Sequence, residues 1–301
     1  MYHRRNERRA FVADRIEKFH SAVPTTLLSF MREVMKERSH SEVKRLLVHQ
    51  HVQVNGVTTT QYDMPLTADD EVAINFARPF FSLSHRMVKL LYEDEALVVV
   101  EKQSGLLTVP AGNRSQSTAQ DIVDEYVHAR DGRSHAFIVH RLDQFTSGIL
   151  IFAKTSEVQH MLRDAWTTYV VERRYMAVVE GTPEPPSGEI RTYLAENSAM
   201  RVYSTQNPEE GKLAVTRYET LQSNGSYSQV DVQILTGRKN QIRVHLSEMG
   251  CPVAGDRKYG AQSNPWGRLM LHNYVLQFIH PLTREQMRFE LPMPPAFRTL
   301  R

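Results

Sequence analysis

The sequence predicts an α+β protein, in which a small N-terminal α/β module precedes a large domain with a mixed, mostly antiparallel sheet and flanking helices. Three observations support this class. Apolar segments of strand length recur through the C-terminal part of the chain. Two segments with apolar residues at helical spacing interrupt them. Near the N-terminus, two amphipathic helical patterns lead into an alternating segment with a turn signal, which is typical of a separate small unit.

The N-terminal module begins with a predicted helix whose apolar residues share one face: Leu27, Leu28, Met31, Val34 and Met35. A second helix is predicted to open at Ser39, because Glu42 follows three residues later and completes a capping-box pattern. Residues 52–56 then alternate like a strand and end in an Asn-Gly turn signal. Residues 72–74 indicate the returning strand of a small sheet.

The chain is predicted to consist of a basic arm, the small module, a linker and the large domain, with these limits: 1–24, 25–77, 78–89 and 90–301. Residues 1–20 hold six Lys or Arg against three Asp or Glu. Such a run is compatible with an arm that reaches phosphates and with a solvated helix end. The linker is placed where Pro79 and the polar residues after it interrupt every periodicity.

Six apolar segments predict strands in the large domain: residues 97–100, 136–139, 148–153, 175–179, 215–221 and 229–235. Two helices are predicted between them, one capped by Thr118 and one around residues 158–166. Residues 182–212 are rich in proline and glycine. This composition predicts a turn-rich, mobile excursion over the active face of the domain.

Composition excludes several classes of protein. The chain has 301 residues, 41% hydrophobic and 24% charged, which is ordinary for a globular protein. Cys251 is the single cysteine, which excludes a disulfide framework and a zinc site of paired cysteines. No apolar stretch approaches the length of about 18 residues that spans a membrane, so we expect a cytoplasmic protein without a membrane partner. The net charge of +3 permits a polyanionic partner without requiring one.

The densest group of candidate functional residues is the run His140-Arg141-Leu142-Asp143-Gln144-Phe145-Thr146-Ser147-Gly148, between two predicted strands. A charged loop that is anchored by a strand at each end holds its side chains in fixed positions. The run is therefore a candidate site.

This run resembles the signature of the RluA-type pseudouridine synthases, which reads His-Arg-Leu-Asp, two variable residues, then Thr-Ser-Gly. Four further stretches resemble motifs of this family in the expected order: 101–107, 174–181, 211–216 and 237–260. The resemblance covers about residues 90 to 292. Gln103, Asn240 and the pair Gln144-Phe145 depart from the family pattern, and these departures concern the choice of RNA rather than the chemistry.

The two predicted helices and the Asn-Gly hairpin, in particular residues 41–47 and 52–56, resemble the S-four-like (alpha-L) RNA-binding module. The resemblance covers roughly fifty residues. The resemblance implies that Lys44 and Arg45, on the polar side of the second helix, contact RNA phosphates without recognising sequence. A solvated helix face is the alternative for the same two residues.

The family resemblance implies a role for each candidate residue of the large domain. Asp143 would be the catalytic carboxylate, which attacks the ribose anomeric carbon or assists departure of the base. Arg243 would pair with this aspartate, and the ring of Tyr175 would stack on the flipped uracil. Arg141 would enter the stack that the uridine leaves, and Asn240 would lie near the bound RNA.

Three histidines raise the alternative of a metal site. His140, His245 and His272 could join Asp143 as ligands, but no spacing typical of metal ligands supports this. The resemblance implies an isomerisation that needs no cofactor and no metal.

We therefore expect an RNA pseudouridine synthase that flips specific uridines, most of all in 23S ribosomal RNA, and reattaches the base through carbon. Transfer RNA is the alternative substrate. A noncatalytic RNA-binding protein of ribosome assembly is the alternative from another class, and the intact set of Asp143, Tyr175 and Arg243 argues against it. The protein is expected to act as a monomer.

Overall fold

The computed structural model describes residues 15–77, 80, 83–110, 117–131 and 134–300. The chain divides into two compact units, an N-terminal one of residues 1–82 with 129–132 and a C-terminal one of residues 83–128 with 133–301. Within the described residues, no helix combines the length and the apolar character that crossing a membrane requires.

The N-terminal unit contains two helices and six short strands: β1 Ile16–His20, β2 Thr25–Thr26, α1 Leu27–Val34, α2 His40–Val48, β3 Val52–Val54, β4 Val57–Thr58, β5 Pro65–Leu66 and β6 Glu71–Asn75. Four strands form an antiparallel sheet in the order β1-β6-β3-β4, and β2 pairs with β5. The apolar faces of the helices pack on β3 and β6 around Leu27, Met31 and Leu47. The unit is therefore a small core covered by two amphipathic helices.

Local sequence signals explain where α2 and the β3–β4 turn begin. The backbone amide of Glu42 donates to Oγ of Ser39 at 3.3 Å, and the amide of Ser39 donates to the Glu42 carboxylate at 2.9 Å. These reciprocal bonds confirm the predicted capping box. Asn55 and Gly56 both have positive φ, 49° and 76°, as a two-residue hairpin turn requires.

Two predicted limits differ from the structure. Residues 16–20, assigned to the basic arm, form the edge strand β1, because Phe19 packs on the core and the backbone pairs with β6. Residues 84–85 and 88–93 form strands of the C-terminal unit, whereas the linker was predicted to extend to residue 89. Residues 1–14 of the predicted arm lie outside the described residues. In residues 16–20 and 84–93, charged and polar residues lie among the apolar ones, so the sequence did not indicate these strands.

The C-terminal unit is built on one large sheet, with these strands: β7 Ser84–His85, β8 Val88–Glu93, β9 Leu97–Lys102, β10 Phe137–Ile138, β11 Ser147–Ala153, β12 Val170–Glu180, β13 Ser187–Glu196, β14 Val202–Thr205, β15 Lys212–Ser223, β16 Tyr227–Ile234, β17 Leu271–Ile279 and β18 Gln286–Glu290. The order along the sheet is β14-β13-β15-β16-β12-β17-β11-β9-β8-β7, with β10 beside β11 and β18 beside β17. Among the described strands, only the pair β11–β17 is parallel. The predicted mixed, mostly antiparallel sheet is confirmed.

Four helices accompany this sheet: α3 Ala119–Asp131, α4 Ser156–Asp164, α5 Trp166–Tyr169 and α6 Gln241–Glu248. Helix α4 buries Val158 and Leu162 against β9, β11 and β17 in an apolar cluster. Residues 187–196 and 202–205, which lie within the predicted excursion of 182–212, form β13 and β14 instead. Proline and glycine in that segment mark the turns that flank the strands.

The parallel contact between β11 and β17 depends on one glycine. Gly148 lies opposite Asn273, and its φ is +129°. A Cβ at this position would lie 2.2 Å from the carbonyl oxygen of Asn273, far inside van der Waals contact. The two backbones can approach here only because residue 148 has no side chain.

Candidate active site

The loop that carries the predicted catalytic carboxylate, residues 140–146, connects β10 to β11 and is hydrogen-bonded to the segment that follows β9. Oγ1 of Thr108 donates to the carbonyl of Leu142 at 2.6 Å. The amide of Gly105 donates to the carbonyl of Gln144 at 2.9 Å. Since both partners belong to a neighbouring segment, the loop has a fixed backbone rather than a free tip.

A buried lysine ties the same two segments together. Nζ of Lys102, at the end of β9, donates to the carbonyls of Gln103, Leu106 and Gln144 at 2.8–3.0 Å. Burial lowers the pKa of Lys102 to about 7, although the charge of Asp143 favours the ammonium form. An ammonium group has three N–H donors, so in that form it satisfies all three carbonyls.

Arg243, in the first turn of α6, contacts Asp143 across the site. Its Nη1 donates to Oδ2 of Asp143 at 3.2 Å and to Oδ1 of Asn240 at 2.8 Å. Nε and Nη2 donate to the two oxygens of Asp256 at 2.6 and 2.8 Å, a bidentate pair. The guanidinium also lies over the ring of Tyr259, 4.9 Å from its centroid. The group is therefore held on several sides before any substrate binds.

The charges of this cluster stabilise one another. Burial disfavours the charge of Arg243, but the carboxylates of Asp256 and Asp143 outweigh it and raise the pKa of the guanidinium. Asp256 is 2% exposed and its charge is matched by the bidentate bond. The side chain of Asp143 is 28% exposed, so its carboxylate faces the cavity with one oxygen bonded to Arg243. It is free to approach a ligand with its other oxygen.

Tyr175 and Arg173 lie two residues apart on β12, and both side chains face the cavity. Tyr175 is 7% exposed, and burial raises the pKa of its phenol to about 12, although the charge of Arg173 opposes the shift. The phenol therefore stays protonated at neutral pH. Arg173 lies over the ring of Trp166, with 5.9 Å between the guanidinium carbon and the ring centroid.

These elements enclose a cavity of about 500 Å³. Six cationic side chains line it: Arg141, Arg163, Arg173, Arg238, Lys239 and Arg243. Asp143 is the one carboxylate among the lining residues that the structure describes. A concave site with this excess of positive charge attracts a polyanion and leaves one carboxylate to act on it.

The structure brings five of the predicted site residues to this cavity: Asp143, Tyr175, Arg243, Arg141 and Asn240. Arg141 is exposed on the loop beside Asp143. Asn240 is 8% exposed, and its side chain is bonded to Arg243 and, at 2.9 Å, to the hydroxyl of Tyr259. These bonds hold the side chain of Asn240 against Arg243 and Tyr259, and its contact with RNA stays a prediction.

Lys44 and Arg45 lie on α2 in the N-terminal unit, where both are exposed. Nζ of Lys44 is 5.9 Å from the ring centroid of Tyr62. Their position agrees with the polar helix side expected from the sequence, while their contact with RNA stays a prediction.

Three functional candidates escaped the sequence analysis: Lys102, Arg173 and Asp256. Arg173 could have been found, because alternate residues of a strand share a face and Tyr175 follows two positions later. Lys102 lies in a stretch that resembles a family motif, but nothing in the letters indicates that its ammonium is buried. Asp256 follows Arg243 by thirteen residues through turns, and no local pattern predicts that pair.

The three histidines of the metal alternative are bonded separately. Nε2 of His140 accepts the amide of Ile151 at 3.1 Å, which requires a neutral ring. His245 is bonded to the hydroxyls of Thr192 and Thr216. His272 is bonded to Oγ of Ser147 at 2.8 Å. Among the residues with described coordinates, no group of three His, Cys, Asp or Glu could hold a metal ion.

Residues 96–248 match the family model described as RNA pseudouridylate synthase. An uncharacterized RNA pseudouridine synthase of Bacillus subtilis, YjbO, is 38% identical over 206 residues, which are 68% of this chain and 72% of that protein. The ribosomal large subunit pseudouridine synthase D of Neisseria meningitidis is 34% identical over 217 residues, 68% of this chain and 58% of that protein.

The fold also resembles solved structures. Human RNA pseudouridylate synthase domain containing 1 superposes with a TM-score of 0.57 at 24% identity, over 72% of this chain and 87% of that one. Human RNA pseudouridylate synthase domain containing 4 gives a TM-score of 0.56, also at 24% identity, over 69% of this chain and 89% of that one. The family match and the relatives confirm the resemblance of the sequence motifs, and the chain belongs to the RNA pseudouridylate synthase family, whose members are RNA-modifying isomerases.

Proposed function

We propose that the protein converts specific uridines of ribosomal RNA, most of all of 23S RNA, to pseudouridine, with Asp143 as the catalytic carboxylate. One observation carries this proposal: Asp143 is bonded to a fixed arginine at the wall of a cationic cavity that it shares with a buried tyrosine. The ribosomal target is supported by the relative named for the large ribosomal subunit. A cytoplasmic location and action as a monomer belong to the same proposal.

The reaction is an isomerisation in which atoms and charge balance within the substrate. The bond between N1 of uracil and C1′ of ribose breaks, the base rotates, and a bond forms between C5 and C1′. The proton on C5 leaves, and N1 ends with a proton. Asp143 would either bond to C1′ while the base rotates or stabilise the positive charge that develops on the sugar, and both routes need an ionised carboxylate.

Arg243 supplies that requirement. Its bonds to Asp256 and Asn240 fix the guanidinium, and its remaining donor faces Oδ2 of Asp143. A fixed positive charge at this distance attracts the negative charge of the carboxylate and limits its rotation. We assign Arg243 the role of positioning Asp143 rather than of reacting with the substrate.

Tyr175 acts as a stacking surface in the proposal, because its buried ring lines the wall of the same cavity. Since burial raises the pKa of its hydroxyl to about 12, the group enters the reaction as a phenol. It can donate a hydrogen bond to the base, and it would take up the C5 proton only after it had given up its own.

Flipping the uridine requires a second group that stabilises the opened helix. Arg141 is exposed on the loop next to Asp143, and a planar cation can stack where the base was and recover part of a cost of about a few kcal/mol. Lys44 and Arg45 would contact phosphates through the S-four-like module.

The test is chemical mapping of pseudouridine in total ribosomal and transfer RNA from cells that carry the wild type, Asp143→Asn or Glu219→Gln. Glu219 is an exposed carboxylate of β15 outside the cavity, so its amide variant is the matched control. We expect one or a few ribosomal sites to disappear with Asp143→Asn only. Loss confined to transfer RNA would reassign the substrate. Unchanged RNA in the Asp143→Asn strain would favour the noncatalytic RNA-binding protein instead.

A further inference from the structure

Arg173 differs from every other buried cation of the cavity in its partners. Its side chain is 8% exposed and lines the cavity between Trp166 and Tyr175. Among the residues that the structure describes, no carboxylate lies within ion-pair distance of its guanidinium, and no side chain or carbonyl accepts a hydrogen bond from it. Its one described ring contact, with Trp166, leaves the N–H groups without acceptors.

Two neighbouring arginines, unlike Arg173, each pair with a carboxylate of the folded chain. Arg174, the next residue on β12, points to the other face and pairs with Asp231. Arg243, the other buried arginine near Asp143, is held by Asp256 through a bidentate bond. A buried charge without a counter-ion is costly, and folded proteins retain one where a ligand supplies the opposite charge.

The surroundings of Arg173 increase the positive charge rather than balance it. Burial lowers its pKa, the neighbouring Tyr175 would raise it if it were ionised, and the charge of Arg238 lowers it. Since the phenol of Tyr175 stays protonated at neutral pH, the remaining effect of these neighbours on Arg173 is repulsion by Arg238. Nε of Arg238 donates to the carbonyl of Leu213 at 2.9 Å, while its side chain also lines the cavity. Two like charges held together form a site for an anion that lies between them.

Gly237 makes room for this group. A Cβ at position 237 would lie 2.8 Å from Nη1 of Arg173, closer than side-chain carbons normally approach. The absence of a side chain at this wall residue lets the guanidinium occupy its place in the cavity. The same distance offers a way to move the charge without removing it.

We propose that Arg173, with Arg238 beside it, forms a phosphate-binding subsite that takes a phosphate group of the flipped uridine nucleotide. This inference rests on the proposed function for the identity of the base, but not for the anion. A phosphodiester fits better than a uracil carbonyl, because only an anion compensates the buried cation Arg173 together with the exposed cation Arg238 beside it. The subsite would make the enzyme select a nucleotide over a nucleoside.

The test compares the binding of uridine and of uridine 3′,5′-bisphosphate by calorimetry at constant ionic strength. We expect the wild type to prefer the bisphosphate by roughly tenfold to a hundredfold, the range for hydrogen bonds to a charged group. Arg173→Gln should lose that preference, and Arg173→Lys should keep part of it. Arg191→Gln, which neutralises an exposed arginine of β13 outside the cavity, should keep all of it. The 3′- and 5′-monophosphates then show which phosphate is bound.

Gly237→Ala is the second variant, since it leaves every charge in place and should reduce the same preference by displacing the guanidinium. Urea denaturation provides the check on folding: a cation without a partner contributes little to stability, so Arg173→Gln should unfold at a urea concentration no lower than the wild type. Marked destabilisation by Arg173→Gln would indicate a structural arginine and would overturn the inference.

Three binding outcomes would also overturn it: a wild type that binds both ligands equally, an Arg173→Gln variant with the full preference, or an equal loss for uridine and the bisphosphate. The last would place the guanidinium on the base or the ribose. Failure of the proposed function is recognised separately. A chain that forms no pseudouridine but shows the Arg173-dependent preference would retain the subsite, whereas loss of the preference alone would leave the isomerase intact.

Discussion

Arg243 illustrates how one residue connects folding to function in this site. Nε and Nη2 of its guanidinium donate to Asp256. Nη1 donates both to Asn240 and to Asp143. The more buried carboxylate, Asp256, therefore fixes the position of Arg243, and Arg243 in turn positions the less buried carboxylate, Asp143. Stability and activity should respond to different members of the cluster.

Arg243→Met tests this division. The variant leaves the buried carboxylate of Asp256 without its partner, so we expect the free energy of unfolding to fall by about 3–5 kcal/mol. The double variant Arg243→Met with Asp256→Asn removes the stranded charge and should recover a large part of that loss, while activity stays absent in both. Urea denaturation gives the two stabilities. A double variant as unstable as the single one would show that Asp256 is not the structural partner.

At the scale of elements, the site is formed by three separate segments of the chain, a loop, a strand and the first turn of a helix. The loop after β10 carries Asp143, the face of β12 that lines the cavity carries Tyr175 and Arg173, and the start of α6 carries Arg243. The loop keeps its position because β11, which follows it, pairs with β9 on one side and β17 on the other. The contact with β17 tolerates substitution less well than the contact with β9, because it requires a glycine at position 148.

Gly148→Ala should therefore act through β11 rather than through the cavity directly. A methyl group would lie 2.2 Å from the carbonyl oxygen of Asn273 and would also hold a φ of +129°, so we expect a loss of about 2–5 kcal/mol. Gly225→Ala is the matched control at the β15–β16 turn, since its φ is +87° and nothing lies within 4 Å. We expect that variant to lose about 1–2 kcal/mol. Thermal denaturation ranks the two, and equal losses would refute the close-approach explanation.

The elements that the sequence predicted well are those with a local cause. The capping box of Ser39 and Glu42 starts α2 where expected, and the apolar runs on either side of residues 140–146 become β10 and β11. Residues 187–196 were misjudged, since the proline and glycine around them indicate turns but say nothing of the paired strand between those turns. Pairing partners distant in the chain decide such a segment.

At the scale of the whole unit, the site could be predicted only as separate pieces. The bond between Arg243 and Asp143 joins residues one hundred positions apart, and the resemblance of motifs, not any periodicity, placed them together. The burial of Arg173 and that of Lys102 both depend on the segments that pack around them in the folded chain. Physical reasoning from sequence supplies the faces of elements, while the neighbours of a buried charge require the assembled fold.

The assembled fold also determines how the C-terminal unit responds to acid. His245 and His272 are fully buried, and burial lowers the pKa of each from 6.5 to about 4. Below pH 6.5 the unfolded chain binds protons that the folded chain does not bind until about pH 4, so stability falls as the pH falls through this window. Each histidine should contribute a slope of up to about 1.4 kcal/mol per pH unit.

Urea denaturation at pH 7.5, 6 and 5 measures this slope, which is separable from carboxylate titration because carboxylates protonate mostly below that range. In His245→Gln the slope should be shallower by up to about 1.4 kcal/mol per pH unit, since glutamine keeps polar contact with Thr192 and Thr216 but binds no proton. His128→Gln, at an exposed position of α3, should keep the wild-type slope. If His245→Gln and the wild type lost stability in parallel, the buried imidazole would have to carry its proton in the folded state, and the two hydroxyls around it would have to accept rather than donate.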